Sequence, residues 1–280
     1  MTIKVAINGM GRIGRSTLAA IIESGRSDIE VVSINAPAPI ETLVHLMKYD
    51  SVHGRFPGDI KIIGNNIDVG RGLIDMQATY NPAELNWEGI DVLLECTGVH
   101  NSKEASLIHL ENGAKKVLLS APGKNVDKTV VFGVNHNDLT SDDLIVSNAS
   151  CTTNCLAPVV KVLNDAIGIE NGIMTTIHSY TGDQPTLDKK HSDLYRSRAA
   201  AMSMIPTSTG AAKAVSLVLP ELAGKLDGSA IRVPTPNVSC VDLTFQARRD
   251  TNIEEVNEAI KKVAETTMKG VLDYILKQKE

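Results

Sequence analysis

The sequence predicts an α/β fold: a doubly wound parallel sheet in the first half, joined to an α+β half whose sheet is mostly antiparallel. Three observations predict it. Apolar, β-branched runs alternate with helical stretches up to about residue 150. A glycine-rich turn separates the first run from the first helix. Beyond residue 150, "VDLTFQARR" instead alternates apolar and polar residues, the mark of a half-exposed strand. The domains predicted are residues 1–150 and 151–280.

In chain order, "TIKVAIN" is the first buried strand and "GMGRIGRSTLAAIIES" the helix after it. "IEVVSIN", "DVLLECTG" and "KVLLSAP" are further strands, the last two separated by the helical "NSKEASLIHLENGA". "DLIVSNAS" closes this half and leads to Cys151. "GIMTTIHSY" and "AIRVP" are strands of the second half. Between them runs "SYTGDQPTLDKKHSDLYRSRAAA", a polar segment long enough to suggest a functional loop. In "VDLTFQARR", Val241, Leu243, Phe245 and Ala247 share one face. Thr251 and Glu254 form a capping-box pattern before Ile253, Val256, Ile260 and Val263 at helical spacing. Met268, Val271, Leu272, Ile275 and Leu276 predict a last amphipathic helix.

Composition excludes several classes. The 280 residues carry a net charge of −5, which gives no basic field for nucleic acid, and aromatics at 3% offer few stacking platforms. No apolar run reaches the roughly 20 residues needed to span a bilayer. The start moves directly into a strand pattern, so the expected location is the cytoplasm, with no membrane partner.

Gly9, Gly11 and Gly14 spell G-x-G-x-x-G between a strand and a helix, the fingerprint of a dinucleotide-binding Rossmann unit. The helix N-terminus would meet the pyrophosphate. The fingerprint also predicts an acid at the end of the second strand to hold the ribose hydroxyls. Ala36 stands there, after "SIN", and the missing carboxylate removes a barrier to an extra 2′-phosphate.

Four cysteines are present, Cys96, Cys151, Cys155 and Cys240. An intracellular chain of this size is not expected to use disulfides. The C-x3-C spacing of Cys151 and Cys155 lacks a second pair, so no metal is expected. A cysteine at a helix N-terminus has its thiolate favoured by the dipole. That makes Cys151 the better nucleophile and Cys155, a turn further in, a packing residue. His178 ends a strand, where catalytic groups emerge. The residues alone leave it open between a base and a structural histidine.

"SNASCTTNCLAP", "TIHSYTGDQ", "RAAAMSMIPTSTGAAKAV", "IRVPTPNVS", "INGMGRIGR" and "HLMKYDSVHGRF" together resemble the phosphorylating glyceraldehyde-3-phosphate dehydrogenases, over residues 3 to about 274. The resemblance implies oxidation of D-glyceraldehyde 3-phosphate with inorganic phosphate, NAD as cofactor and a homotetramer. It implies Cys151 as nucleophile and His178 as base. Thr181, Asp183 and Arg232, with Arg198 nearby, match the site for the substrate phosphate. Ser150, Thr152, Thr209 and Gly210 match the site for the attacking phosphate. Arg12 and Ile13 match the pyrophosphate turn, and Thr97 and Ser120 match polar contacts at later strand ends.

The sequence departs from the family in three places. Ala36 replaces the ribose-binding aspartate, and Lys189 and Lys190 stand in the loop that a neighbouring subunit extends toward that ribose, so NADP is a second cofactor expectation. Tyr80 stands where the family often has an arginine near the adenine. The sequence also ends before the family's last segment, which carries an asparagine that orients the nicotinamide amide and a helix that packs on the cofactor domain. On that ground the alternatives are a truncated remnant that binds nucleotide or other subunits, or an erythrose-4-phosphate or non-phosphorylating aldehyde dehydrogenase.

Overall fold

The computed structural model describes residues 2–275 and divides into two compact units. The first takes the chain up to Thr129 together with Thr140–Asn148. Its elements are β1 (Ile3–Asn8), α1 (Arg12–Glu23), β2 (Ile29–Asn35), α2 (Ile40–Lys48), β3 (Tyr49–Asp50), β4 (Gly54–Arg55), β5 (Lys61–Ile63), β6 (Asn66–Asp68) and β7 (Leu73–Gln77). They continue through β8 (Val92–Glu95), α3 (Lys103–Glu111), β9 (Val117–Leu119), β10 (Lys128–Thr129) and β11 (Ile145–Ser147). One nine-stranded sheet runs in the order β10-β11-β9-β8-β1-β2-β7-β6-β5. From β10 to β7 all neighbours are parallel, and β6 and β5 add an antiparallel edge.

Both faces of this sheet are covered, as a parallel sheet requires. Ala6 and Ile7 are neighbours on β1 yet belong to different apolar clusters, because successive side chains point to opposite faces. Ile7 and Ile34 pack with Leu18 of α1 and with Leu43 and Val44 of α2. Ala6 and Leu93 pack with Trp87, Val117 and Leu110 of α3. The edge formed by β5 and β6 went unassigned from sequence, although its signal is present. Ile63 pairs with Asn66 across a two-residue Gly64-Asn65 turn, with Gly64 at φ +60°.

The second unit joins Val130–Leu139 to the chain from Ala149 onward. It contains α4 (Cys151–Ile167), β12 (Ile169–Ser179), β13 (Ile205–Ser208), α5 (Ala211–Ala214), β14 (Leu226–Val233), β15 (Cys240–Ala247) and α6 (Ile253–Glu265). The sheet order is β13-β14-β12-β15, with β12 and β14 parallel and the outer pairs antiparallel. Leu156, Ala157, Val160, Leu163 and Ile167 form the buried stripe of α4 and pack with Met174 and Val215. Pro158 lies inside α4 without ending it. Val241, Leu243, Phe245 and Ala247 pack on the same core, while Asp242, Thr244 and Gln246 are exposed, so the predicted alternation of β15 is present.

Two terminal expectations are corrected. The cap of α6 falls one residue later than predicted. Asn252 Oδ1 accepts the Glu255 N–H at 2.8 Å, and Thr251 donates its hydroxyl to the Glu255 carboxylate instead. Asparagine is the stronger cap. The last amphipathic helix is not formed over Met268–Ile275, which runs as turns and irregular chain. The helical path ends at Glu265, and Gly270 takes a left-handed φ of +81°. Met268 is buried there and Ile275 exposed, whereas Leu276 lies outside the described residues.

Candidate active site

Helix α4 begins at the thiol. Ala149 turns the chain with φ +56°, a left-handed conformation that costs a residue with a Cβ. Ser150 then caps the helix, its Oγ accepting the Thr153 N–H at 3.0 Å. Cys151 is therefore the first helical residue, at the positive end of the dipole. Its Sγ lies 3.1 Å from His178 Nε2.

The imidazole arrives from the end of β12 and is buried, 6% exposed. His178 Nδ1 lies 2.7 Å from the Ser179 carbonyl, an acceptor, so Nδ1 carries the proton. Nε2 is then the free lone pair facing the sulfur. The hydrogen bond with His178 lowers the Cys151 pKa below that of an ordinary thiol; desolvation opposes this, and the His178 charge and the Thr152 hydroxyl and N–H assist. The sequence left His178 undecided because its partner lies 27 residues away and meets it only through the fold.

Arginines supply the anion sites. His178 and Arg232 are partners across the parallel pair β12–β14, which puts Arg232 beside the histidine. Arg232 Nη1 donates to the Ser179 carbonyl at 3.0 Å and to Thr181 Oγ1 at 3.4 Å. Its Nε is buried without a protein partner among the described residues. Burial lowers the Arg232 pKa, as does the neighbouring Arg196, against the Cys151 and Asp183 charges. The Asp183 carboxylate meets His191 Nε2 at 3.1 Å and Arg196 Nη1 at 3.2 Å. Desolvation raises the Asp183 pKa, and these two hydrogen bonds outweigh it, leaving the carboxyl below its usual range.

Arg198 is not in this group. It is 71% exposed and pairs with Asp188 at 3.3 Å. Arg196 takes the position expected of it, further fixed by Thr207 Oγ1 at 3.1 Å and the Ser208 carbonyl at 3.1 Å. Two arginines one residue apart on an irregular loop carry no periodicity that tells which turns inward. His191 was missed for the same reason. Thr152 is buried, with its hydroxyl and N–H directed at the sulfur. Thr209 Oγ1 accepts the Ala211 N–H at 3.2 Å, and Gly210 caps α5 with open space where a Cβ would stand. Cys155 is exposed, contrary to its expected packing role, because its turn of α4 presents the apolar stripe through Leu156 and Ala157 instead.

The first unit holds the glycine turn. Gly9 sits at φ +97°, and a Cβ there would stand 2.9 Å from Thr97. A Cβ on Gly14 would stand 2.0 Å from the Gly9 carbonyl oxygen. Around Gly11 nothing lies within 4 Å, and α1 has no side-chain cap, so its first N–H groups face open space. These residues fit a dinucleotide pyrophosphate. Ile13 is exposed beside the turn and Ala36 is buried. Arg12 begins α1, but its guanidinium pairs with Asp50, so only its backbone is left to the turn. That pairing holds the Asp50 carboxyl well below its usual range. Ser120 bonds Cys96, whose thiol burial pushes up to about 11. Tyr80 is exposed, its hydroxyl 3.3 Å from the Pro37 carbonyl. Lys189 and Lys190 are exposed on the long loop of the second unit. Among the described residues no group of three or more His, Cys, Asp or Glu side chains is placed to hold a metal ion, and no helix is long and apolar enough to cross a membrane.

Comparison with known proteins covers nearly the whole chain. Residues 3–103 match the family model of the glyceraldehyde 3-phosphate dehydrogenase NAD binding domain, and residues 150–279 match that of the C-terminal domain. A glyceraldehyde-3-phosphate dehydrogenase of Xanthobacter flavus is 66% identical over 276 residues, covering 98% of this chain and 82% of the relative. One from Cereibacter sphaeroides is 66% identical over 274 residues, with the same two coverages. One from Geobacillus stearothermophilus is 53% identical over 277 residues, again 98% and 82%.

Proposed function

The chain belongs to the glyceraldehyde-3-phosphate dehydrogenase family, and on that premise we propose that it oxidises D-glyceraldehyde 3-phosphate to 1,3-bisphosphoglycerate, taking up inorganic phosphate and reducing NAD. The cofactor belongs to residues 1–150 and the aldehyde chemistry to residues 151–280. The observation that carries the reading is the Cys151–His178 pair at 3.1 Å, with the far imidazole nitrogen anchored on a carbonyl.

His178 Nε2 takes the thiol proton, and the Cys151 sulfur attacks the aldehyde carbon to give a thiohemiacetal. The Cys151 backbone N–H and the imidazolium steady the developing oxyanion, which takes up the proton. Neutral His178 then receives the hydroxyl proton as the C–H bond breaks, leaving a thioester on Cys151. NAD, when bound on the Gly9–Gly14 turn with Thr97 and Ser120 nearby, supplies the hydride acceptor. A phosphate oxygen next attacks the thioester carbon, the C–S bond breaks, and the thiolate leaves from an acyl phosphate. Arg232, Thr181 and Arg196 hold the substrate phosphate, and Asp183 orients Arg196. Ser150, Thr152, Thr209 and Gly210 hold the attacking phosphate.

Formation of reduced nicotinamide from aldehyde tests this directly. Turnover that requires phosphate and vanishes in Cys151→Ser supports it, and turnover indifferent to phosphate overturns the phosphorylating reaction. The expected assembly is a homotetramer in the cytoplasm. Its support is an apolar groove containing exposed Leu187, Leu194, Tyr195, Met202 and Met204, which a neighbouring copy would cover. Light scattering that gives a monomer mass would refute the assembly.

A further inference from the structure

A line of buried polar side chains crosses four adjacent strands of the first unit at their carboxyl ends. Thr79, just past β7, donates its N–H to Asn35 Oδ1 at 3.1 Å. Asn35 Nδ2 donates to Asn8 Oδ1 at 2.8 Å, and Asn8 Nδ2 donates to Glu95 Oε2 at 2.6 Å. From the other side the Trp87 indole N–H donates to His109 Nδ1 at 3.2 Å, and His109 Nε2 lies 3.2 Å from the same carboxylate oxygen. Thr97 closes on the second oxygen, its N–H at 2.7 Å and its hydroxyl also bonded.

The directions in this chain are fixed at both ends. A backbone N–H and an indole N–H can only donate. The Thr79 end therefore orients Asn35, Asn35 orients Asn8, and Asn8 presents a donor to Glu95. The Trp87 end makes His109 Nδ1 an acceptor, so the neutral imidazole carries its proton on Nε2 and donates to Glu95. Every partner of Glu95 is thus a donor, and its carboxylate is ionised although only 1% exposed and without a cationic partner. Desolvation opposes ionisation, and the bonds from His109, Thr97 and Asn8 outweigh it. A lone buried charge is a costly device for stability alone.

What the charge holds is the nucleotide turn. Thr97, pinned by both its N–H and its hydroxyl, abuts Gly9, whose missing Cβ would stand 2.9 Å from Thr97 Cγ2. Asn8 immediately precedes Gly9, and the Gly9 N–H bonds the Asn35 carbonyl at 2.9 Å. We propose that Glu95 is a positioning residue for the dinucleotide, its carboxylate locking Thr97 and the Gly9 turn into the shape that receives the phosphates. This rests on the dinucleotide reading above.

Glu95→Gln in the full chain tests it, because an amide must turn its NH2 group toward donors on one side or the other. The dinucleotide Kd, measured by titration without aldehyde, is expected to rise about tenfold or more, as does the dinucleotide KM. The aldehyde KM and the alkylation rate of Cys151 are expected to stay within about twofold. Trp87 is the only tryptophan in the sequence, so its indole N–H gives one resonance. That resonance is expected to shift when the wild type is saturated with NAD, and to lose this response in the variant. A folded variant with unchanged dinucleotide Kd overturns the proposal. If the variant does not fold, an unshifted indole resonance in saturated wild type overturns it. A wild type that neither binds nor reduces the dinucleotide instead overturns the reading beneath it.

Discussion

Cys151 Sγ and His178 Nε2 meet at 3.1 Å across two elements, the first residue of α4 and the penultimate residue of β12. The Ser179 carbonyl fixes the imidazole so that the nitrogen facing the sulfur has no proton to give until it takes one. The helix dipole, the imidazole and the Thr152 donors all favour the same ionised form of the thiol.

The Cys151 pKa is lowered, so the thiolate survives as pH falls below the ordinary thiol range and is lost only at the depressed value. Iodoacetamide should therefore alkylate Cys151 at a pH where Cys155, whose pKa is raised by desolvation and by the neighbouring Cys240 and Cys151, stays protonated. His178→Asn should move the alkylation profile to higher pH and lower kcat by roughly 10²–10⁴-fold. Mass mapping of the alkylated residue across a pH series checks both. A profile for Cys151 that matches Cys155 would contradict the arrangement.

Arg196 and Arg198 give a sharper contrast, because only one faces the phosphate donors. Arg196→Ala removes the group bonded to Asp183, Thr207 and Ser208 and is expected to raise the aldehyde KM by about tenfold or more. Arg198→Ala removes an exposed pair with Asp188 and should change KM and Tm little, since such pairs are worth about 0–1 kcal/mol. Initial rates over an aldehyde series decide. Equal effects would mean that the loop rearranges around the substrate.

The sequence already displayed the glycine turn, the strand alternation of β15 and the thiol at a helix start, since each is a local pattern of a few residues. The contacts that make the site depend on tertiary structure and were less legible. His178 faces Arg232 only because β12 and β14 run parallel in that register. Arg196 and His191 converge on Asp183 from an irregular loop without a period. Glu95 and His109 read as ordinary polar residues of a strand and a helix, and only the fold shows that both are buried and joined. The last turn misled for the opposite reason: an apolar spacing suited to a helix was overruled by Gly270.

Cofactor choice is expected to follow charge. Ala36 offers no carboxylate to repel a 2′-phosphate, and Lys189 and Lys190 are exposed cations on the loop that the tetramer reading brings to the ribose. NADP should then support turnover alongside NAD. Ala36→Asp should lower kcat/KM for NADP by about tenfold or more while sparing NAD, because like charges at the ribose repel. Parallel kcat/KM values for the two cofactors are the measurement. A chain that already rejects NADP as strongly as the variant refutes the role of the lysines.

The three glycines of the turn should fail in different ways. Gly14→Ala gains helix propensity, about 1 kcal/mol, but its Cβ would stand 2.0 Å from the Gly9 carbonyl oxygen, and backbone cannot move aside cheaply. Overpacking of this kind costs about 1–3 kcal/mol or more, so Tm should fall even without ligand. Gly11→Ala meets nothing within 4 Å, and its backbone φ of −70° suits any residue. Its Tm should drop by only a few degrees, from the weaker N-cap. Its added methyl instead occupies the space through which a pyrophosphate approaches the first N–H groups of α1, so the dinucleotide Kd should rise sharply. Thermal melts and dinucleotide titrations of the two variants separate stability from binding. A Gly11→Ala chain that binds dinucleotide normally would mean that the phosphates do not lie on this turn.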